Sequence, residues 1–178
     1  MKRYILTGAP GSGKTSLIRT LEMNGHIVVH EAATDRIEYD QGLGIKAPWT
    51  SPQFIDDIIS LQKQRQQQTI GDIQFYDRSP FCTLALAQYL AFTPSPLLLE
   101  EIDRIQNNKI YQKEVFFIEN LGFITPTDAR QITFEETLKF EKIHAQIYEK
   151  FGFTLVKVPA ENLLDRINKI LLKINHRS

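Results

Sequence analysis

Tyr4-Ile5-Leu6-Thr7-Gly8-Ala9-Pro10-Gly11-Ser12-Gly13-Lys14-Thr15 decides how the rest of the chain is read. It sets an apolar strand directly before the pattern G-x-x-x-x-G-K-[ST], a loop whose backbone N–H groups wrap a phosphate chain at a helix start. Gly8, Gly11 and Gly13 supply backbone shapes that a Cβ would obstruct and let the chain approach phosphate oxygens closely. Lys14 reaches toward β- and γ-phosphates as a point charge, and the Thr15 hydroxyl is the expected ligand of a bridging Mg²⁺. Ala9, Ser12 and Ser16 complete the expected contacts with a nucleoside triphosphate, and the helix start adds roughly half a positive charge. A bare glycine-rich turn would need no strand before it and no helix after it; both are present.

The 178 residues suffice for one α/β domain over 1–178 with a sizeable core, and the lid-like loop falls at about 120–132. Lys and Arg number 21 and Asp and Glu 21, so no charge excess proposes nucleic acid or an anionic membrane as partner. The single cysteine, Cys82, allows no internal disulfide, and no apolar run is long enough for a membrane span. With no secretory signal pattern before the first strand, a cytoplasmic location is the expectation.

Beyond the loop, Leu17, Ile18 and Leu21 mark the inner side of a helix through Met23, stopped by Asn24-Gly25. Ile27-Val28-Val29 reads as a short buried strand ending at His30-Glu31. Residues 32–44 are polar and mixed, with Asp35, Arg36, Glu38, Tyr39 and Asp40 close together, until Gly42 and Gly44 break the pattern. Ser51-Pro52 opens a helix to about Gln68, whose glutamines at 62, 64 and 66–68 read as a solvated face. Ile73 to Asp77 is the next strand, followed by Ser79 as the cap of an apolar helix and Ser95-Pro96 as the start of another. Val115 to Ile118 is apolar on both sides, as a central parallel strand requires. Thr133-x-x-Glu136 is a capping box for a long helix, Thr154 to Val158 a fifth strand, and Leu163 to Ile174 a final amphipathic helix. Alternating strands and helices predict an α/β fold with a parallel sheet covered on both faces.

In such a sheet, ligand-binding residues gather beyond the carboxyl ends of the strands. Asp77 ends an apolar strand, where a carboxylate holds Mg²⁺ through water or takes the proton of an attacking hydroxyl; its neighbour Arg78 would stabilise charge on the transferring group. The competing reading makes the two a helix-start carboxylate and a structural ion pair. Glu31 could accept hydrogen bonds from an acceptor's hydroxyls, with Arg36 on the following turn pairing with it or with a phosphate; the bland alternative is a surface ion pair. Arg130, beside Asp128 in the irregular loop, would close over the phosphates. His26, His30, His144 and His176 lack metal-ligand spacing, Cys82 reads as a core residue, and Trp49 and Tyr39 either flank a pocket or simply pack.

The loop Gly8 to Thr15, the segment His30 to Arg36, the Tyr76-Asp77-Arg78-Ser79 motif and Asp128-Ala129-Arg130 together resemble the small P-loop proteins grouped as AAA-type ATPases. That group is similar to the kinase domain of bacterial nicotinamide riboside kinases and to a eukaryotic trafficking protein that binds GTP and phosphoinositide. The resemblance implies a P-loop NTPase three-layer sandwich with a five-stranded parallel sheet, laid out as in nucleoside and nucleotide kinases. It further implies Asp77 as catalytic base or magnesium partner, Arg78 as a phosphate or acceptor contact and Arg130 as a lid residue. No sensor or arginine-finger pattern of the ring-forming AAA ATPases accompanies it. The expected cofactors are ATP, or alternatively GTP, with Mg²⁺. The first expected activity is phosphoryl transfer to a small hydroxyl-bearing metabolite such as a nucleoside or riboside. The second is a nucleotide-regulated binding switch with slow hydrolysis, and the third a structural protein that has lost its chemistry.

Overall fold

A computed structural model describes residues 1–122 and 133–175. Five strands form one sheet: β1 (Lys2–Thr7), β2 (Ile27–Val29), β3 (Ile73–Asp77), β4 (Glu114–Ile118) and β5 (Thr154–Val158), in the order β2-β3-β1-β4-β5, all parallel. The helices are α1 (Lys14–Met23), α2 (Ala32–Gly42), α3 (Gln53–Gln68), α4 (Pro80–Tyr89), α5 (Pro96–Asn107), α6 (Phe134–Lys150) and α7 (Leu163–Asn175), with a short 3₁₀ turn at Pro48–Thr50.

Period-two alternation sorts the strands' side chains onto two faces. Tyr4 and Leu6 of β1 point to one side, where Phe75, Phe116 and Val158 meet Leu17, Ile18 and Leu21 of α1 and Ile167, Ile170 and Ile174 of α7. Ile5 points to the other, joining Tyr76 and Val115 against Ile55 and Ile59 of α3, Phe81 of α4, Ile102 of α5 and Tyr148 of α6. Each such fully buried aliphatic or aromatic side chain contributes about 1.5–3 kcal/mol of transfer free energy. The expected three layers therefore form, and β1, buried on both faces, carries the phosphate loop out at the centre of the sheet.

The capping box is present in full. The Thr133 hydroxyl accepts from the Glu136 N–H at 3.2 Å and the Glu136 carboxylate accepts from the Thr133 N–H at 2.8 Å. Residues 32–42 depart from the sequence reading by forming α2. Its support is tertiary: Ala32, Ala33 and Ile37 pack on Phe54, Ile58 and Trp49, a cluster whose members lie too far apart in sequence to show as a periodic stripe. Trp49 is thus a packing residue, while Tyr39 stays exposed with the Arg36 guanidinium over its ring. The glutamine-rich end of α3 departs in part. Gln66 is 5% exposed and accepts a 2.7 Å hydrogen bond from Arg104, and Gln62 accepts from Thr83, so these two pack against α5 and α4, while Gln64, Gln67 and Gln68 are exposed.

Candidate active site at the carboxyl edge of the sheet

Parallel register places the candidate residues side by side. Leu6 pairs with Asp77, which sets the end of β3 two residues from Gly8, and Val29 pairs with Tyr76, which sets Glu31 next to the same edge. A cavity of about 560 Å³ opens there, lined by Thr15, Glu31 and Asp77 and by Arg19, Thr34, Asp35 and Arg65 among others.

The phosphate loop is held by left-handed turns. Gly13, with φ 83°, lies immediately before α1, and Gly8, with φ 137°, passes so close to β4 that a Cβ there would lie 2.3 Å from the Ile118 carbonyl oxygen. Ala9 and Ser12 are fully buried, and the Ser12 N–H bonds the Ala9 carbonyl. Lys14 is folded onto its own loop, its Nζ donating to Gly8 O at 3.0 Å, Ala9 O at 2.8 Å and Ser12 Oγ at 3.2 Å. Burial first, and then the Arg78 charge, lower its pKa to about 7. Thr15 and Ser16 are exposed at the start of α1, with Thr15 on the cavity wall.

Asp77 is 6% exposed, and its Oδ1 is buried without a hydrogen-bond partner. Burial, reinforced by the charge of Glu31, pushes its pKa up to about 6. Arg78 takes a left-handed backbone, φ 71°, which a non-glycine residue adopts at a cost of roughly 1 kcal/mol. Its N–H donates to Leu6 O, its Nε to Glu31 Oε1, and its Nη1 to Gly8 O at 3.3 Å and to His144 Nε2 at 3.2 Å. Burial works against ionisation of Glu31, but the Arg78 and Lys14 charges and the Thr34 hydroxyl bonded to its Oε2 at 2.9 Å hold it below the ordinary carboxylate range. Ser79 accepts from the Phe81 N–H, caps α4 as expected, and shares a 2.7 Å hydrogen bond with the Tyr148 hydroxyl.

Arg36 is not part of this arrangement. Five residues separate it from Glu31, about 140° around a helix. It pairs instead with Asp40 one turn on, Nη2 to Oδ1 at 2.6 Å, and with Asp57 of α3 at 3.1 Å. Arg130 and the irregular segment around it fall outside the described residues. Cys82 is a core residue, its sulfur within hydrogen-bond distance of Thr7 Oγ1 and the Tyr148 hydroxyl.

Three side chains at this site were invisible to spacing. Arg166 of α7, 3% exposed, donates from Nη1 to Ser12 O and from Nη2 to Glu119 O, both at 2.9 Å, and lies against Gly13. His144 reaches Arg78 from α6, and Arg65 closes the cavity by donating to His30 O while pairing with Asp35. The local signal that could have flagged Arg166 is a lone arginine among the aliphatic positions of the last helix, at Leu163, Ile167 and Ile170.

The chemistry of the donor set suits a hard cation. Asp77 Oδ1 lacks a partner on the same cavity as the Thr15 hydroxyl, and oxygen ligands of this kind take Mg²⁺. Among the described residues no helix is long and apolar enough to cross a membrane.

No curated protein matches the sequence. Among solved structures, deoxyadenosine kinase from M. mycoides with bound dCTP superposes with a TM-score of 0.64 at 16% identity, covering 99% of this chain and 100% of that one. NadR protein in complex with NR gives 0.70 at 16% identity over 98% of this chain and 50% of that chain. NadR with NAD and AMP-PNP gives 0.69 at 17% over 98% and 49%. These similarities establish the fold, a P-loop three-layer sandwich of the kind found in nucleoside kinases. The AAA domain family matches residues 3–166, and the chain belongs to that family.

Proposed function

We propose that the protein is an ATP- and Mg²⁺-dependent phosphotransferase acting on a small hydroxyl-bearing acceptor, a nucleoside or riboside. The observation that carries this reading is the meeting of Thr15 at the end of the phosphate loop, Asp77 with its unpartnered Oδ1, and Glu31, itself paired with Arg78, on one cavity large enough for a small acceptor. The solved relatives, deoxyadenosine kinase with dCTP and NadR with AMP-PNP, are proteins of this fold that hold nucleotides.

Each residue has a task in that reading. The loop from Gly8 to Ser16 offers backbone N–H groups to the phosphates, and Lys14 exchanges its three loop contacts for phosphate oxygens. Thr15 and Asp77 would hold Mg²⁺, which supplies charge neutralisation between β- and γ-phosphate oxygens. Glu31, kept ionised by Arg78, accepts the hydrogen bond of the acceptor hydroxyl and orients it toward the γ-phosphate. Arg78 presents its guanidinium to the charge that develops on the transferring group. Positioning and charge stabilisation do the work, with no covalent intermediate on the protein.

The test is ADP release from purified protein with ATP and Mg²⁺, screened against a panel of nucleosides and ribosides. Acceptor-dependent release supports the proposal. Tight ATP binding with no acceptor in the panel raising the rate would overturn it in favour of a nucleotide-regulated switch.

A further inference from the structure

His144 and Tyr148 lie one turn apart on α6, and they meet two consecutive residues of the turn that follows β3. His144 Nε2 contacts Arg78 Nη1 at 3.2 Å, and the Tyr148 hydroxyl contacts Ser79 Oγ at 2.7 Å. Residues four apart share one helix face, so a single helix grips this turn at both positions. The imidazole is fully buried, with the Phe140 ring edge-on at 4.3 Å.

The two ring nitrogens have separate partners. Nδ1 lies 2.9 Å from the Phe140 carbonyl oxygen, which can only accept, so Nδ1 carries the hydrogen. Nε2 then holds a lone pair, and Arg78, which can only donate, is its partner. The guanidinium is thereby restrained from three directions: Glu31 at the start of α2, the Gly8 carbonyl in the phosphate loop, and His144 on α6. A residue with a left-handed backbone needs such external contacts to keep its conformation.

We propose that His144 is a positioning residue: as the neutral Nδ1–H tautomer it accepts from Arg78 Nη1 and fixes the plane of the guanidinium beside Glu31 and the phosphate loop. The effect on catalysis rests on the phosphotransferase reading above; the restraint on Arg78 does not. Burial first, then the positive charge of Arg78, lower the His144 pKa to about 3, with Lys14 acting in the same direction and Glu31 and the Phe140 carbonyl opposing. At neutral pH the ring therefore stays an acceptor rather than a second cation facing Arg78.

Two variants separate positioning from packing. His144→Phe keeps the ring volume and removes the acceptor, whereas His144→Gln places an amide oxygen near the position of Nε2. In ¹⁵N-labelled wild-type protein, the imidazole should show the neutral Nδ1–H pattern throughout about pH 5 to 8. Solvent exchange of the Arg78 Nε–H should rise at least about tenfold in His144→Phe and return to within about threefold of wild type in His144→Gln. With ATP, Mg²⁺ and the acceptor found in the panel, kcat of the Phe variant should fall at least about tenfold while KM for ATP stays within about threefold.

A wild-type imidazole that titrates near its ordinary value or carries hydrogen on Nε2 overturns the proposal, and this readout decides even where the Phe variant does not fold. Unchanged Arg78 exchange in His144→Phe, or a Gln variant no better than Phe, overturns it as well. Where no acceptor supports ADP release by the wild type, the phosphotransferase reading fails and the exchange measurement still decides the part played by His144.

Discussion

Glu31 and Arg78, 47 positions apart in sequence, form an ion pair whose Glu31 end lines the cleft, with Arg78 Nε donating to Glu31 Oε1 and the two side chains 20% and 10% exposed. The pair joins the end of β2 to the end of β3, with the second Glu31 oxygen accepting from the Thr34 hydroxyl. A pair this protected from water is costly to break from one side, because the partner left behind is a buried, uncompensated charge.

Glu31→Gln should therefore lower stability by about 2–4 kcal/mol in urea denaturation, with Arg78 as the stranded charge. Acceptor-dependent turnover should fall together with it, by about a hundredfold, since a neutral amide with one accepting oxygen holds the acceptor hydroxyl more weakly than a carboxylate. A variant as stable as the wild type would show that the pair is screened like any surface contact.

Asp77→Asn gives a prediction with a sign in pH. Asp77 titrates at about 6 in the folded chain against 3.8 ordinarily, so between those values the folded state holds more protons than the unfolded state. Its contribution to stability is greatest below about pH 4 and declines as pH rises to about 6. Asparagine does not titrate. The variant should melt higher than the wild type by an amount that grows through this window, reaching about 1–3 kcal/mol at pH 7, while turnover drops about a hundredfold or more. Thermal melting at pH 4.5 and pH 7.5 checks it, and a gap that does not widen with pH would contradict a desolvated carboxylate.

Lys14→Ala should weaken ATP binding by about a hundredfold in calorimetric titration while changing folding stability by under about 1 kcal/mol. The small structural effect follows from opposing contributions. Three hydrogen bonds from Nζ are lost, but so is the cost of burying an ammonium that lies 5% exposed with its pKa lowered to about 7. Global unfolding of the variant would contradict this balance.

Gly8→Ala should cost about 3 kcal/mol or more and abolish nucleotide binding. The added methyl group meets the Ile118 carbonyl oxygen at 2.3 Å, a backbone atom that cannot rotate away. Gly42→Ala, where nothing lies within 4 Å, is the matched control and should leave both properties intact. Equal stability of the two variants in denaturant would refute the steric argument.

Local chemistry explains how far the sequence could be read. A phosphate loop, a capping box at Thr133 and Glu136, and apolar runs such as Thr154 to Val158 each write their structure within a few residues, and those elements stand where the pattern put them. Helix α2 was missed because its support comes from Phe54 and Ile58 on another helix, and Gln66 looked solvated because Arg104, 38 positions on, is what it meets. At the site, strand-end residues such as Asp77 and Glu31 were legible because parallel sheets collect them at one edge. The partners of Arg78 were not: nothing near position 78 announces His144, and Arg36 was the nearer but geometrically wrong arginine for Glu31.

Arg166 ties the phosphate loop to the last helix. Its guanidinium bridges Ser12 O and Glu119 O across 154 and 47 positions, so one of the loop's backbone carbonyls is tied down by the last helix, which packs on the same face of the sheet as α1. The loop and the arginine that braces it thus lie 154 positions apart in sequence. A chain cut before residue 166 would carry every glycine of the motif and still lack the contact that holds the Ser12 carbonyl, so the geometry of the loop draws on the last helix as well as on its own twelve residues.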